Sequence, residues 1–275
     1  MCGIAGTLLA PSESRNIKEV CDLFTANLIA NESRGKEATG ALIVQEDSTW
    51  LLEKAALPAS EFVKTPAYRK LIATVNKNTL LLLGHTRKPT KGSPENNNNN
   101  HPIVRGSTIG VHNGTLANDD DIFLKHLRAG AESRIGAVDS EAIFALIDEL
   151  PHEPSLPKHC NSLSHLSKLF LGSYTTLYLH PKDPFRLYLL KYNNPMSVHH
   201  SPQYKGLFFS SRYIFLRKAF GRSVITEALP SRSGYIFDSR LIARRGKTPL
   251  LTFPLAGQDA IVQHVSLLDV NGNLK

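Results

Sequence analysis

The chain has few cysteines. It has three in 275 residues, Cys2, Cys21 and Cys160, an odd number with no C-x-x-C pair. That excludes a disulfide framework and points to a reducing compartment. No G-x-G-x-x-G or Walker A loop is present, so no recognised loop for ATP or a dinucleotide offers itself. The histidines lack H-E-x-x-H or paired spacing, so no metal site is expected. No apolar run approaches the ~20 residues of a membrane span. The N-terminus has no basic segment and only a short apolar run, so no secretory leader is read there. No stretch of five basic residues occurs either. The net charge of +8 and pI of 9.4 therefore describe a diffusely basic surface, and direct nucleic-acid binding is not expected. These exclusions leave a cytoplasmic globular enzyme or binding protein, long enough to bury one large core or two small ones. Its hydrophobic content of 41% and charged content of 20% are ordinary.

The most informative stretch is Gly84–Leu116. Two apolar β-rich pieces, LLLGHTR and STIGVHNG, bracket a polar loop. One ends in a cation and the other in Asn-Gly, a combination able to hold an anionic group and to stabilise a developing oxyanion. The chain opens with MCGIAGTLL. Removal of Met1 would leave a thiol and an α-amine on one residue. The amine, with a reference pKa of roughly 7.7–8, could then serve as base to its own thiol.

In order, Gly3–Leu9 reads as a strand and Asn16–Ile29 as an amphipathic helix opened by Asn16 with Glu19 three residues on. That helix puts Cys21 on its apolar face as a structural thiol. NESRGKEATGALIV is a loop feeding a strand, and WLLEKAAL is a second strand antiparallel to it. Ser60–Val75 reads as a helix started or broken by Pro66. Leu80–Leu83 and Thr108–His112 are strands. The run Asn96–Asn100 is expected as a low-complexity surface loop. Asp119–Leu127 and Asp139–Leu150 are helices, 151–159 a connector, and Leu163–Leu171 a short helix. The remainder is mostly β, in SYTTLYLH, PFRLYLLKY, GLFFSS, SVITEAL and SGYIFD, with a helical piece at Tyr213–Phe220. No repeat or linker divides the chain. One domain over 1–275 is expected, with a core of about 2–238 and a C-terminal β extension of about 239–275. Pattern alone gives an α+β class.

Five motifs in order, MCGIAG, RG, HTR, HNG and DSE, resemble the glutaminase domain of class II glutamine amidotransferases, the N-terminal nucleophile hydrolases that open glucosamine-6-phosphate synthase, glutamine phosphoribosyl amidotransferase and asparagine synthetase. The resemblance covers roughly Cys2 to Asp238. It implies a four-layer αββα sandwich of two antiparallel sheets, with L-glutamine hydrolysed to glutamate and ammonia. It implies Cys2 as nucleophile, with the Asn113 amide and the Gly114 N–H as oxyanion hole. Asn-Gly is in isolation also a favoured hairpin turn. The resemblance further implies Arg87 on the substrate α-carboxylate, Asp139 on its α-ammonium, and Thr90 and Gly92 in the covering loop. Asp139 is equally read as a plain helix N-cap. His101 either contacts substrate or orders the loop. Arg34 either packs beside the nucleophile or belongs to a simple helix-to-strand turn. Glu37 stands where an Asp is usual, and Gly40 matches. Lys88 replaces the usual aromatic residue and Lys91 the usual His, which implies a different closure of the loop. The SYTT and FFSS segments and Lys191 are assigned to scaffold.

No cofactor is expected. Because the resemblance consumes nearly the whole chain, the expectation is a free-standing subunit that passes ammonia to a separate synthetase; a homo-oligomer is also compatible. Two other classes fit the residues: a hydrolase of another γ-glutamyl or acyl amide, and a non-catalytic glutamine-sensing or scaffold subunit. Dependence on both Arg87 and Asp139 separates the first from a glutaminase. A processed, reactive Cys2 separates the second.

Overall fold

The computed structural model describes residues 1–12, 14–127, 133–151 and 155–256. Strand β1 (Gly3–Leu9) shows why the chain must build layers. Ile4 and Leu8 point into one apolar cluster, Ala5 and Leu9 into another, and all four are fully buried. A strand buried on both faces needs a packed layer on each side. It lies near the middle of a seven-stranded antiparallel sheet. On one side follow β4 (Thr79–Arg87), β2 (Ala38–Gln45) and β3 (Trp50–Ala55). On the other lie β10 (Gly206–Ser210), β9 (Ser197–Ser201) and β11 (Glu227–Ala228).

A second, six-stranded sheet runs β13 (Leu251–Pro254), β12 (Ser233–Asp238), β8 (Arg186–Lys191), β7 (Gly172–Leu179), β6 (Thr108–Leu116) and β5 (Ile103–Arg105). Leu81 and Leu83 of β4, Val111 of β6, Leu177 of β7 and Phe237 of β12 share the cluster between the sheets. The outer face of the first sheet is covered by α1 (Ile17–Asn31), α2 (Ala59–Phe62), α3 (Pro66–Ile72) and α7 (Tyr213–Phe220), through Phe24, Leu28, Phe62, Leu71 and Leu216. The outer face of the second is covered by α4 (Asp119–Lys125), α5 (Ser140–Asp148) and α6 (Leu156–Leu166), through Phe123, Ile143, Phe144 and Leu163. A final short helix, α8 (Ile242–Arg245), returns Ile242 to the cluster between the sheets. The architecture is the expected α+β sandwich of helix, sheet, sheet and helix.

Several elements follow from local chemistry as predicted. Asn16 accepts from the Glu19 N–H while its amide donates to the Glu19 carboxylate, a reciprocal cap for α1. Cys21 is half-buried at the edge of the cluster under α1, and burial pushes its thiol up to about 11.

Other elements differ from the sequence reading. The expected helix over 60–75 is two helices. Pro66 takes the first position of the second one, where its missing N–H costs nothing, and Thr65 caps it. The connector expected at 151–159 becomes helical from Leu156, with Pro157 in the first turn of α6. Of SVITEAL only Glu227–Ala228 is strand, while Ser197–Ser201, with one buried apolar residue and two histidines, forms β9. The segment from 239 holds a helical turn (Ser239–Leu241) and α8 before β13, rather than strand alone; its continuation over 257–275 lies outside the described residues.

The asparagine run is not a spare surface loop. Asn99 and Asn100 are 2% and 1% exposed. Asn96 caps a turn at Asn97–Asn99. The Asn99 amide donates to Ser93 O and accepts from Ala137 N, and that of Asn97 donates to Lys54 O. Each side chain supplies the donors and acceptors that an irregular buried backbone otherwise lacks.

Candidate active site

The antiparallel pairing of β1 with β4 brings Gly3 opposite Thr86, so that Cys2 emerges beside Arg87 and Lys88. Lys88 N–H donates to Cys2 Sγ at 3.3 Å, and the thiol lies 3.4 Å from Lys88 O. The close approach requires glycines. A Cβ on Gly3 would lie 2.6 Å from Thr86 Oγ1, and one on Gly35 would lie 2.3 Å from the Arg87 carbonyl carbon. The Arg34-Gly35 pair is thus packed directly under the strand end. Arg34 is 7% exposed and donates through Nε to Cys2 O at 2.5 Å, which places it at the nucleophile candidate's own backbone. Burial pushes the Cys2 thiol up. The Lys88 N–H bond, the N-terminal ammonium and Arg87 oppose that rise, while Asp139 adds to it. Cys2, Arg87 and Asp139 are therefore electrostatic neighbours, although 137 positions separate Cys2 from Asp139 in sequence.

Asn113 and Gly114 lie inside β6, paired with Thr175 and Tyr174 of β7. The segment is not a hairpin turn. Ser211, the residue after β10, ties it to Cys2's strand: its hydroxyl accepts from Ile4 N at 2.8 Å and from Asn113 Nδ2 at 2.9 Å. One amide hydrogen of Asn113 is thereby fixed and the other left over. Asn194 holds Asn113 O from the far side. Gly114 has φ +150°, and a Cβ there would stand 1.9 Å from Ser173 O, so no other residue fits.

Arg87 is buried at 3% exposure and held by neutral acceptors: Nη1 donates to Asn100 Oδ1, and Nη2 to the carbonyls of Lys91 and Gly92. The end of the asparagine run thus braces the guanidinium, a link no sequence signal revealed. Asp139 is the N-cap of α5, through Ser140 N at 2.9 Å, and its second oxygen accepts from Leu116 N at 2.8 Å. Thr90 is exposed at the loop tip. His101 is turned inward, 4% exposed, with its ring 4.2 Å from that of His85, and its carbonyl occupies the space a Cβ on Gly40 would need. His112 bonds Ser140 Oγ, and its carbonyl bonds the His85 ring. All three histidines have pKa values lowered by burial, that of His85 to about 3. Among the described residues no group of His, Cys, Asp and Glu is arranged to hold a metal ion, and no helix is long and apolar enough to cross a membrane.

The two departures in the loop have different outcomes. Lys88 is exposed and contributes its backbone to Cys2. Lys91 reaches the start of α4, 2.7 Å from Asp119 and 3.1 Å from Asp120, and Arg134 binds the same two carboxylates while lying over the Phe123 ring at 4.1 Å. The loop is closed ionically.

No family model matches the chain. It is 29% identical over 200 residues to the glutamine–fructose-6-phosphate aminotransferase (isomerizing) of Aeropyrum pernix, across 72% of this chain and 30% of that protein. It is 23% identical over 279 residues to the 7-cyano-7-deazaguanine synthase of Saccharolobus solfataricus, across 98% of this chain and 56% of that protein. The chain thus spans between about a third and somewhat over half the length of these relatives. In fold it is similar to the glutamine phosphoribosylpyrophosphate amidotransferase of B. subtilis, with a TM-score of 0.61 at 17% identity over 86% of this chain and 47% of that one.

Proposed function

We propose, for a chain that belongs with the class II glutamine amidotransferases and carries their N-terminal nucleophile hydrolase fold, that it hydrolyses L-glutamine to glutamate and ammonia through Cys2. The observation that carries the proposal is the convergence at the start of β1: a thiol in hydrogen-bond contact with the Lys88 backbone, and an Asn113 amide linked through Ser211 to Ile4 of the strand that follows the thiol. After loss of Met1 the Cys2 amine takes the thiol proton, and the thiolate attacks the side-chain amide carbon. The carbonyl oxygen becomes an oxyanion facing the second Asn113 amide hydrogen and the Gly114 N–H. As the C–N bond breaks, the ammonium returns its proton and ammonia leaves. Water then opens the γ-glutamyl thioester. Arg87 and Asp139 supply opposite charges for the α-carboxylate and α-ammonium. Their bonds in the structure are to neutral partners, so neither charge is cancelled, and Arg87 retains N–H groups for a carboxylate. Pairing both charges with substrate selects a free amino acid. Thr90 closes over it from the loop, and His101 orders that loop from within.

The ammonia is passed to a separate synthetase. The support is the similarity to the 7-cyano-7-deazaguanine synthase of Saccharolobus solfataricus, a synthase by name. Three free thiols among the described residues suit the cytoplasm. A direct assay of glutamate and ammonia from L-glutamine tests the hydrolysis. Loss of turnover in Cys2→Ala, and a rise of KM in both Arg87→Lys and Asp139→Asn, is the expected pattern; indifference to the last two contradicts glutamine as substrate. Co-purification of a stoichiometric amidating enzyme supports transfer, and full-rate glutaminase activity with no partner in the native host opposes it.

A further inference from the structure

Beside the residues that flank Cys2 lies a cavity of about 380 Å³, lined by Met1, Arg34, Lys36, Lys88, Arg212 and Phe215 among others. Four of these side chains are cationic. Facing them is one acid, Glu37, which is exposed and whose carboxylate accepts from Lys36 N–H. Arg34 is the unusual member. Its Nε is used on Cys2 O and its Nη2 donates to the Met1 sulfur at 3.8 Å, while its buried Nη1 has no hydrogen-bond partner among the described residues. A guanidinium more than nine-tenths buried without an acceptor on one edge is costly. Arg212 stands close enough for its charge, after burial, to lower the Arg34 pKa further. Arg212 is also the N-cap residue of the eight-residue α7 and makes no side-chain cap, so the first turn of α7 presents its positive end to the same cavity. Three features of different origin therefore ask for negative charge at one place: an unpaired arginine edge, a cluster of lysine and arginine heads, and a helix terminus. The proposed hydrolysis meets its substrate charges with Arg87 and Asp139 and assigns none of these three features a step.

We infer that this cavity is an oxyanion-group binding site, taking a phosphate or a carboxylate presented by the ammonia acceptor, against the Arg34 edge, Arg212 and the first turn of α7. The site rests on the proposed function only for the identity of its occupant; the cation cluster stands without it. Its position gives the occupant a route to the nucleophile. The anion takes one edge of the Arg34 guanidinium while another holds Cys2 O, so occupancy fixes the backbone that carries the thiol. Met1, which lies against the fork, is displaced by the anion or removed before it binds.

The test titrates the chain with inorganic phosphate and, separately, with a tetra-aspartate peptide, each at constant ionic strength against sodium chloride, by calorimetry. Saturable binding of one equivalent of either probe is expected, weakened at least about tenfold in Arg212→Gln, as loss of a charge-assisted bond implies. Lys36→Gln weakens it less. Tighter binding of phosphate assigns the occupant to a phosphorylated acceptor, and tighter binding of the peptide to an acidic protein surface. Neither probe exceeding sodium chloride, or affinity unchanged in Arg212→Gln, overturns the site. Labelling of Cys2 by a diazoketone analogue of glutamine, measured in the same samples without probe, is expected to be equal in the chain and in both variants. It reports the glutamine site independently, so a chain that labels and binds no anion loses this inference and keeps the hydrolytic one.

Discussion

Replacing Asn113 by Ala removes the side-chain donor of the proposed oxyanion hole while the Gly114 backbone remains. The expected result is a fall in kcat of about 10²–10³, or ~2.7–4 kcal/mol in the barrier, with KM nearly unchanged; a steady-state assay reads both. Ser211→Ala leaves the amide in place without its anchor, so it should lower kcat less, with partial recovery in Ser211→Thr. Gly35→Ala acts differently, because its Cβ would meet backbone rather than a movable side chain. A loss of about 1–3 kcal/mol or more in denaturant unfolding is expected, together with impaired labelling of Cys2. At this scale the sequence was a fair guide to residues that carry a motif: Cys2, Arg87, Asn113, Gly114 and Asp139 are brought to one place. It put Ser211 in scaffold and Asn100 in a surface loop, and did not single out Arg212. Their roles depend on partners that only the folded chain supplies, as in the bond from Ile4 to Ser211 across 207 positions. A serine after a strand has no local signature of its own.

The loop from Lys88 to Gly92 is the element in which chemistry and fold are most closely joined. Its carbonyls hold Arg87, its backbone N–H meets Cys2, and Lys91 ties it to α4. Lys91 and Asp120 are substantially exposed, so salt screens part of this tie. With glutamine as substrate, KM should rise with added sodium chloride. In Asp119→Asn it should start roughly threefold higher and respond less to salt. A salt-independent KM in the parent chain would separate the ionic closure from binding. The asparagine run shows why composition misled here. Five polar residues in a row read as an insert with nothing to bury, yet asparagine carries both donor and acceptor and can complete irregular backbone from within. Asn97, Asn99 and Asn100 do so against Lys54, Ser93, Ala137, Pro94 and Arg87. The split of the 60–75 helix, by contrast, was visible in Pro66, whose fixed φ permits a helix start and forbids an interior position.

Across the whole molecule, the four layers follow from strands buried on both faces. Apolar β-rich runs showed the strands, but which cluster lies between the sheets depends on pairing between distant segments, and pattern alone reached only a mixed α and β class. The layers also bury three histidines, His85, His101 and His112, in neutral form. Their folded pKa values lie below the unfolded value near 6.5, so the unfolded chain binds more protons below that pH. Their contribution to stability is complete above pH ~6.5 and is lost as pH falls toward 3, where His85 titrates. Tm should be flat from pH 8 to 7 and fall steadily from pH 6.5 downward, with a shallower fall in His101→Gln; a flat Tm down to pH 5 would contradict neutral burial.

The most direct test of the central claim is the intact mass of the chain before and after treatment with 6-diazo-5-oxo-L-norleucine, with Cys2→Ala as control. The account predicts a chain lacking Met1 that gains one adduct, and no adduct in Cys2→Ala although Cys21 and Cys160 remain. A processed chain that stays unlabelled, or one that labels equally without Cys2, would contradict a glutamine-directed nucleophile at the head of β1.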